Sequence, residues 1–408
     1  MLYDNALLAL AYTEAFQHTR RPLYEQAARR TLDYMLRELS GPQGGFCCGQ
    51  DADSGGVEGK YYTMTPDELA QVLGREDADR FCRWYGITPW GNFEDKSIPN
   101  LLDTANFDRE PEGMAGLRER VYAYRLGRTE LYRDDKVLTA WNGLALAALA
   151  RAGLALEEPR YLDAARRTAE FLASRLTAPD GRLLARWRDG DAAHPGKLDD
   201  YAFYACGLLE LYGASFDPVY LARAAELAER LLELFFDWVR GGFYPYSLDG
   251  EQLLTRTKEA YDGAIPSGNS VAALVLSRLA RLTGEGRWRE AAKLQLSWLA
   301  GVARDYPAGH SFAILAFEEE LWPTAELVVA AQNVPEELCA FLRETPCPEL
   351  TVLVKTPASA GMLAALAPFV KDYPIPERGA RYYLCQNGTC AQPVDTVTAL
   401  RALFAKSG

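Results

Sequence analysis

The sequence predicts a mainly α protein, an (α/α)6 toroid of helix hairpins carrying a small C-terminal α/β region. Three observations predict it. A polar, aromatic opening followed by an alanine- and leucine-rich helical pattern recurs four times, and about twenty residues after each opening a Tyr or Trp opens a second helix. The copies are Tyr3-Asp4-Asn5-Ala6 with Tyr24, Trp141-Asn142-Gly143-Leu144 with Tyr161, Asp199-Asp200-Tyr201-Ala202 with Tyr220, and Asp262 with Ser267-Gly268-Asn269 and Trp288. In three units the second helix runs into a glycine turn and a short extended stretch, so helix, helix, hairpin repeats with a long, irregular period. Beyond about residue 310 the pattern changes to alternating strand-like and helical segments.

The elements follow in order. Residues 2–18 and 23–39 read as an antiparallel helix pair, with apolar stripes at Leu7, Leu8, Ala11, Ala15 and at Ala28, Leu32, Met35, Leu36. After Ser40-Gly41-Pro42 come Gly44-Gly45-Phe46, a polar loop with Asp51-Ala52-Asp53-Ser54, and a strand-like Lys60-Tyr61-Tyr62-Thr63. Thr65-Pro66-Asp67-Glu68 starts a helix, with Thr65 as N-cap, Pro66 at N1 and Glu68 at N3. Helices are expected over 66–73, 77–85 and 111–127. The second pair covers 139–155 and 159–176, and a strand then runs to Trp187. The third pair covers 200–214 and 218–236, followed by Gly241-Gly242-Phe243 and a hairpin around Asp249-Gly250. The fourth covers 267–283 and 286–303. Strands near 325–330, 350–354 and 381–384, with helices near 335–344, 359–370 and 395–405, form the α/β region. The domains expected are therefore 1–320 and 321–408.

The chain has 408 residues and a net charge of −12. That charge disfavours nucleic acid or an anionic membrane as partner and suits a neutral ligand. No stretch approaches the ~20 apolar residues of a membrane span. No phosphate loop, dinucleotide fingerprint or zinc spacing occurs, so no cofactor or metal is expected. The eight cysteines read mainly as reduced thiols of a cytoplasmic protein. A redox or metal role for Cys385 and Cys390 is the alternative.

Four motifs resemble those of the YyaL-like, thioredoxin domain-containing family. They are Asp51-Ala52-Asp53-Ser54 with Glu58-Gly59-Lys60-Tyr61-Tyr62, Asp134-Asp135-Lys136-Val137-Leu138-Thr139-Ala140-Trp141-Asn142-Gly143-Leu144, Leu198-Asp199-Asp200-Tyr201-Ala202-Phe203, and Lys258-Glu259-Ala260-Tyr261-Asp262-Gly263-Ala264-Ile265-Pro266-Ser267-Gly268-Asn269-Ser270. The resemblance runs from Met1 to beyond Cys385-Gln386-Asn387-Gly388-Thr389-Cys390. It implies a barrel of the six-hairpin glycosidase type, similar to N-acylglucosamine 2-epimerases, preceded by a thioredoxin-like domain. No residue here matches that domain, and the barrel segment the resemblance places just before Met1-Leu2-Tyr3-Asp4 is also missing, so the ring is expected to be N-terminally incomplete, with an apolar seam and a thioredoxin-like domain of the same protein as upstream partner.

In an α/α toroid the first helices run parallel and their N-termini gather at one mouth, where the helix dipole favours carboxylates. Asp200, Asp135, Asp53, Asp262 and Glu259 are the catalytic candidates, because glycoside chemistry needs two facing carboxylates. Tyr3, Asp4, Trp141, Asn142, Asp199, Tyr201, Ser267 and Asn269 are the binding candidates: aromatic faces suit sugar C–H surfaces, and carboxylates and amides suit hydroxyls. Taken singly, each Asp, Ser or Asn reads first as the cap of its own helix; the aromatic residues beside them are what capping explains less well. The Asp51-Ala52-Asp53 run lacks the acid a calcium loop needs at its twelfth position, where Tyr62 stands. Of three histidines only His310 precedes a helix in a mouth-like position, so two-histidine epimerase chemistry is not supported. Lys136 and Lys258 read as salt-bridged staples. The functional expectation is a carbohydrate-active or carbohydrate-binding module for a neutral sugar-like ligand; the alternative is a non-enzymatic scaffold for the thioredoxin-like domain.

Overall fold

The computed structural model describes residues 1–250, 254–322, 325–347, 350–386 and 388–404. Helices α1 (Leu2–Thr19) and α2 (Pro22–Tyr34) form the first hairpin, and the second continues as a π-turn over Met35–Leu39. Three helices follow, α3 (Pro66–Leu73), α4 (Arg75–Trp84) and α5 (Met114–Arg128). Next come the hairpin α6 (Thr139–Ala155) and α7 (Pro159–Arg175), the strands β1 (Leu184–Arg188) and β2 (Asp191–Pro195), and the hairpin α8 (Leu198–Ser215) and α9 (Pro218–Phe235). A fourth pair, α10 (Gly268–Thr283) and α11 (Gly286–Ala303), leads to α12 (Ser311–Leu321). The chain ends with β3 (Ala325–Ala331), α13 (Glu336–Glu344), β4 (Leu350–Lys355), α14 (Ala360–Leu366), β5 (Ala380–Gln386), β6 (Thr389–Cys390) and α15 (Val397–Phe404).

The chain divides into two compact units, Met1–Cys48 with Lys136–Gly408, and Gly49–Asp135. The smaller unit packs α3, α4 and α5 around Leu69, Phe81, Met114, Leu117 and Val121. Its capping box forms as the sequence predicts: Thr65 Oγ1 accepts from the Glu68 amide at 3.3 Å, and Glu68 Oε2 accepts from the Thr65 amide at 3.4 Å. Glu68 also receives the Tyr124 hydroxyl and Arg128. The strand expected at 60–63 is instead a turn, with the amides of Tyr62 and Thr63 both donating to the Gly59 carbonyl. Gly59 has φ +69°, a conformation that favours glycine and closes the turn before a strand can form.

In the larger unit, α1, α6, α8, α10 and α12 pack one on the next as a series of inner helices of the α/α-toroid type, and α2, α7, α9 and α11 each cover their own inner helix. The division follows from sequence. Helices α6 and α8 are apolar on nearly every side and almost wholly buried, whereas α7 and α9 are amphipathic. The closest crossing is α6 on α8, where Gly143 meets the backbone of Phe203 and Tyr204 and Gly207 meets the Gly143 carbonyl. The two end helices, α1 and α12, are not packed as neighbours among the described residues. They carry the exposed apolar residues Leu8 on α1 and Ile314, Leu315 and Leu321 on α12, with Trp322 just beyond.

The four-stranded sheet has the order β6-β5-β3-β4, with β3 and β4 parallel and β5 antiparallel to β3. All three strands and all three helices expected there are present; residue 405, at the end of the last expected helix, lies outside the described residues. So do Asn387 of the Cys385–Cys390 motif and residues 251–253 of the hairpin expected around Asp249-Gly250. Cys385 and Cys390 face each other across β5 and β6 and are joined by a disulfide. This departs from the expectation of reduced thiols, because the hairpin register makes the two side chains direct cross-strand neighbours.

Candidate functional site

Contacts between successive inner helices fix where their N-termini lie. Tyr3 of α1 meets Trp141 of α6 edge to face at 4.8 Å. Asp200 of α8 accepts from the Ala140 amide in the first turn of α6 at 2.9 Å and from its own Lys197 amide at 2.8 Å. Asp199 Oδ1 of α8 lies against Gly268 at the start of α10, where an added Cβ would collide with it. Asp262 Oδ1 accepts from the Ser267 amide before α10 at 2.8 Å, and its Oδ2 accepts from the Phe312 and Ala313 amides of α12 at 2.9 and 3.1 Å. The starts of all these inner helices are therefore tied in sequence at one end of the unit.

The other end is tied by charge. Glu14 on α1, Arg151 on α6, Glu210 on α8, Arg278 on α10 and Glu319 on α12 form a continuous alternating chain of ion pairs, at 3.5, 2.6, 2.7 and 2.9 Å in order. Arg281 adds a further 2.7 Å contact to Glu319. Burial alone would raise the Glu210 pKa; the two arginines outweigh it and hold the carboxyl at about 2. Two anchored ends make the inner helices parallel, as the repeat predicts.

Several sequence candidates build this frame. Asn142 is fully buried: its Oδ1 accepts from the Phe46 amide at 2.7 Å, and its Nδ2 donates to the carbonyls of Phe46 and Leu138 at 3.0 and 2.9 Å. Asn269 repeats the pattern on Phe243 at 2.7 and 3.0 Å, with the Glu259 carbonyl as its third partner at 2.7 Å. Gln295 locks that copy by donating to Asn269 Oδ1 and accepting from the Gly242 amide. The buried Tyr201 takes the equivalent place in the third repeat, its hydroxyl accepting from the Leu183 amide at 2.9 Å. Ser267 caps α10 by accepting from the Ser270 amide at 3.1 Å. Asp200 is buried; that burial, with a smaller contribution from the Asp199 charge, pushes its pKa up to about 7 against the pull of its two amide donors.

Asp199 and Glu259 differ from these. Both side chains are exposed. Desolvation by surrounding protein and then the like charge of Glu259 raise the Asp199 pKa to about 6, opposed by the Gly268 amide. The Asn269 clamp on the Glu259 carbonyl fixes the backbone that carries the second carboxylate. Tyr261 and Tyr306, 56% and 57% exposed, both stand against Gly309, whose carbonyl accepts from the Asp262 amide at 2.8 Å. Neither tyrosine opens a helix, so the repeat does not single them out; the place of Tyr261 between Glu259 and Asp262, inside a motif quoted above, is the available signal. His310 is buried with Nδ1 2.9 Å from the Tyr306 carbonyl. Tyr3, Asp4 and Trp141 are half-buried, and Asp4 pairs with the Met1 amino group at 3.2 Å.

Asp53 and Asp135 belong to the smaller unit, where Asp53 is exposed in a two-residue ladder with Glu58. Lys258 is a staple, bonding Asp237 at 2.8 Å and holding that carboxylate near a pKa of about 2; its partner is not the adjacent Glu259.

The fold defines a mainly α protein of the α/α-toroid type. The chain is 29% identical to human spermatogenesis-associated protein 20 over 451 residues, covering 99% of this chain and 57% of that protein. The mouse protein of the same name is 28% identical with the same coverage, so the chain spans little more than half the length of these curated relatives. No protein-family model matches it. Among solved structures it is similar to a D-mannose isomerase (TM-score 0.44, 14% identity, 78% of this chain and 60% of that one) and to a family 105 glycoside hydrolase of C. acetobutylicum (TM-score 0.38, 13% identity, 73% and 77%).

Proposed function

We propose that the mouth of the larger unit binds a neutral, sugar-like ligand and that Asp199 and Glu259 are its working carboxylates. The observation that carries this is the contrast at adjacent positions of one helix start. The Asp200 oxygens are occupied by two backbone amides. Asp199 is exposed, lies within reach of the Glu259 charge and holds its proton to about pH 6. A carboxyl retaining a proton beside a second carboxylate is the division of labour on which glycoside acid–base chemistry rests. Tyr261 and Tyr306 supply rings for sugar C–H faces, and Tyr3 and Trp141 a second aromatic wall. Asp200, Asp262, Asn142, Asn269, Ser267 and Tyr201 hold the mouth open and in register. Titration of the protein with mono- and disaccharides, with product analysis of each mixture, tests this: a saturable sugar whose binding or turnover falls in Asp199→Asn is expected, and no interaction with any sugar by a folded protein contradicts it.

A second reading has its own support. Most polar helix openings are consumed by caps and clamps, as expected of a scaffold. In that reading the mouth docks a protein partner, with the thioredoxin-like domain of the same protein as the candidate. Capture of that domain that is lost in Glu259→Gln, without any sugar binding, would favour it.

A further inference from the structure

A cavity of about 220 Å³ lies away from the helix starts of the mouth, between the C-terminal part of α10, the first turn of α11, the end of α12 and the sheet. Its wall includes Ser277, Arg289, Glu320, Glu326, Tyr373 and Tyr383. Ser277 is 1% exposed, and its hydroxyl has no hydrogen-bond partner among the described residues. A helical serine ordinarily returns its proton to the carbonyl one turn back; leaving a buried hydroxyl without an acceptor is costly. Arg289, Glu320 and Glu326 are exposed and form no ion pair among the described residues; Arg281, which also lines the cavity, is paired with Glu319. Tyr373 and Tyr383 meet at 4.6 Å, edge to face, and the Glu326 charge is near enough to act on the Tyr373 hydroxyl. Exposed charges of both signs around a buried hydroxyl with no acceptor suit a ligand that brings both signs itself.

We propose that this cavity binds a small zwitterion of amino-acid size, its ammonium group held by Glu320 and Glu326 beside the tyrosine rings and its carboxylate held by Arg289 and the Ser277 hydroxyl. The site is independent of the sugar mouth and uses none of its residues. The test is calorimetric titration of the whole chain with each of the standard L-amino acids. At least one binds saturably, and its N-acetyl and methyl-ester derivatives, each lacking one charge, bind at least ~10-fold more weakly. Ser277→Ala removes a hydroxyl that has no partner, so it leaves the fold intact and weakens binding ~3–10-fold; Glu326→Gln weakens it ~10-fold or more, and Asp199→Asn has no effect. Absence of saturable binding by every amino acid overturns the proposal. So does binding that the derivatives match, or binding that both cavity variants leave unchanged.

Discussion

Asn142 holds Phe46 by both of its backbone groups: Oδ1 takes the Phe46 amide at 2.7 Å, and Nδ2 returns to the Phe46 carbonyl at 3.0 Å. Asn269 does the same to Phe243. In each case the clamped phenylalanine follows a Gly-Gly pair and bridges back to the end of the preceding outer hairpin element, Ser40 to Phe46 and Phe236 to Phe243. The repeat visible in the sequence is therefore a repeated clamp. Because both partners are buried, Asn142→Ala leaves an amide and a carbonyl unsatisfied, and a loss of about 2–4 kcal/mol of stability is expected for it and for Asn269→Ala. Urea unfolding of each variant checks this; a change below about 0.5 kcal/mol would remove the clamp from the account.

The α6–α8 crossing depends on the absence of a side chain at Gly143. A Cβ there would stand 2.5 Å from the Phe203 carbonyl carbon and 2.6 Å from the Tyr204 nitrogen, both backbone atoms that cannot swing aside. Gly143→Ala is expected to cost about 3 kcal/mol through forced separation of the two helices, despite alanine's better helix propensity. Thermal unfolding measures it, and a stabilised variant would contradict the packing described.

Much of this fold is legible in the sequence, for identifiable reasons. The hairpins α6–α7 and α10–α11 have strong apolar patterns and clear ends, so their bounds agree with expectation to within a residue or so. The Tyr61-Tyr62 segment misleads because aromatic composition favours a strand while Gly59 dictates a turn. At the mouth, the Asn and Asp residues are visible but their partners are not, since Phe46 lies 96 residues from Asn142. The ion-pair chain is not legible at all. Its signal is a lone charged residue deep within each apolar inner helix, Arg151 in α6 and Glu210 in α8, and a lone charge reveals its partner only in three dimensions.

Arg278 stands in the middle of that chain, between Glu210 and Glu319. Replacing it by alanine leaves two largely buried carboxylates facing each other, and about 3 kcal/mol of destabilisation is expected. Glu210 supplies the pH dependence. Its folded pKa of about 2 lies below the ordinary unfolded glutamate value, so its contribution is present above that unfolded value and lost as pH falls toward 2. Arg278→Ala should show a shallower loss of stability on acidification than the parent protein. An unchanged acid profile would mean that the arginine does not hold Glu210 ionised.

Asp200 behaves in the opposite sense. Its folded pKa of about 7 lies above the unfolded aspartate value, so its contribution is fully present below that unfolded value and is lost as pH rises through about 7. The stability of the parent relative to Asp200→Asn should fall between these limits, with a slope of at most about 1.4 kcal/mol per pH unit. Paired denaturant titrations across that range report it; a difference that grows with pH would show that the amide donors outweigh burial.

Asp199 and Glu259, and not the buried Asp200, are the carboxylates proposed to meet a ligand at the mouth. Saturation-transfer NMR of the parent, Asp199→Asn and Glu259→Gln proteins, each with the same panel of mono- and disaccharides, tests it most directly. Transfer from the protein to at least one sugar is expected in the parent, reduced at least ~10-fold in affinity by either substitution while thermal stability is retained. Transfer of equal strength in all three folded proteins, or none to any sugar in the parent, would contradict it.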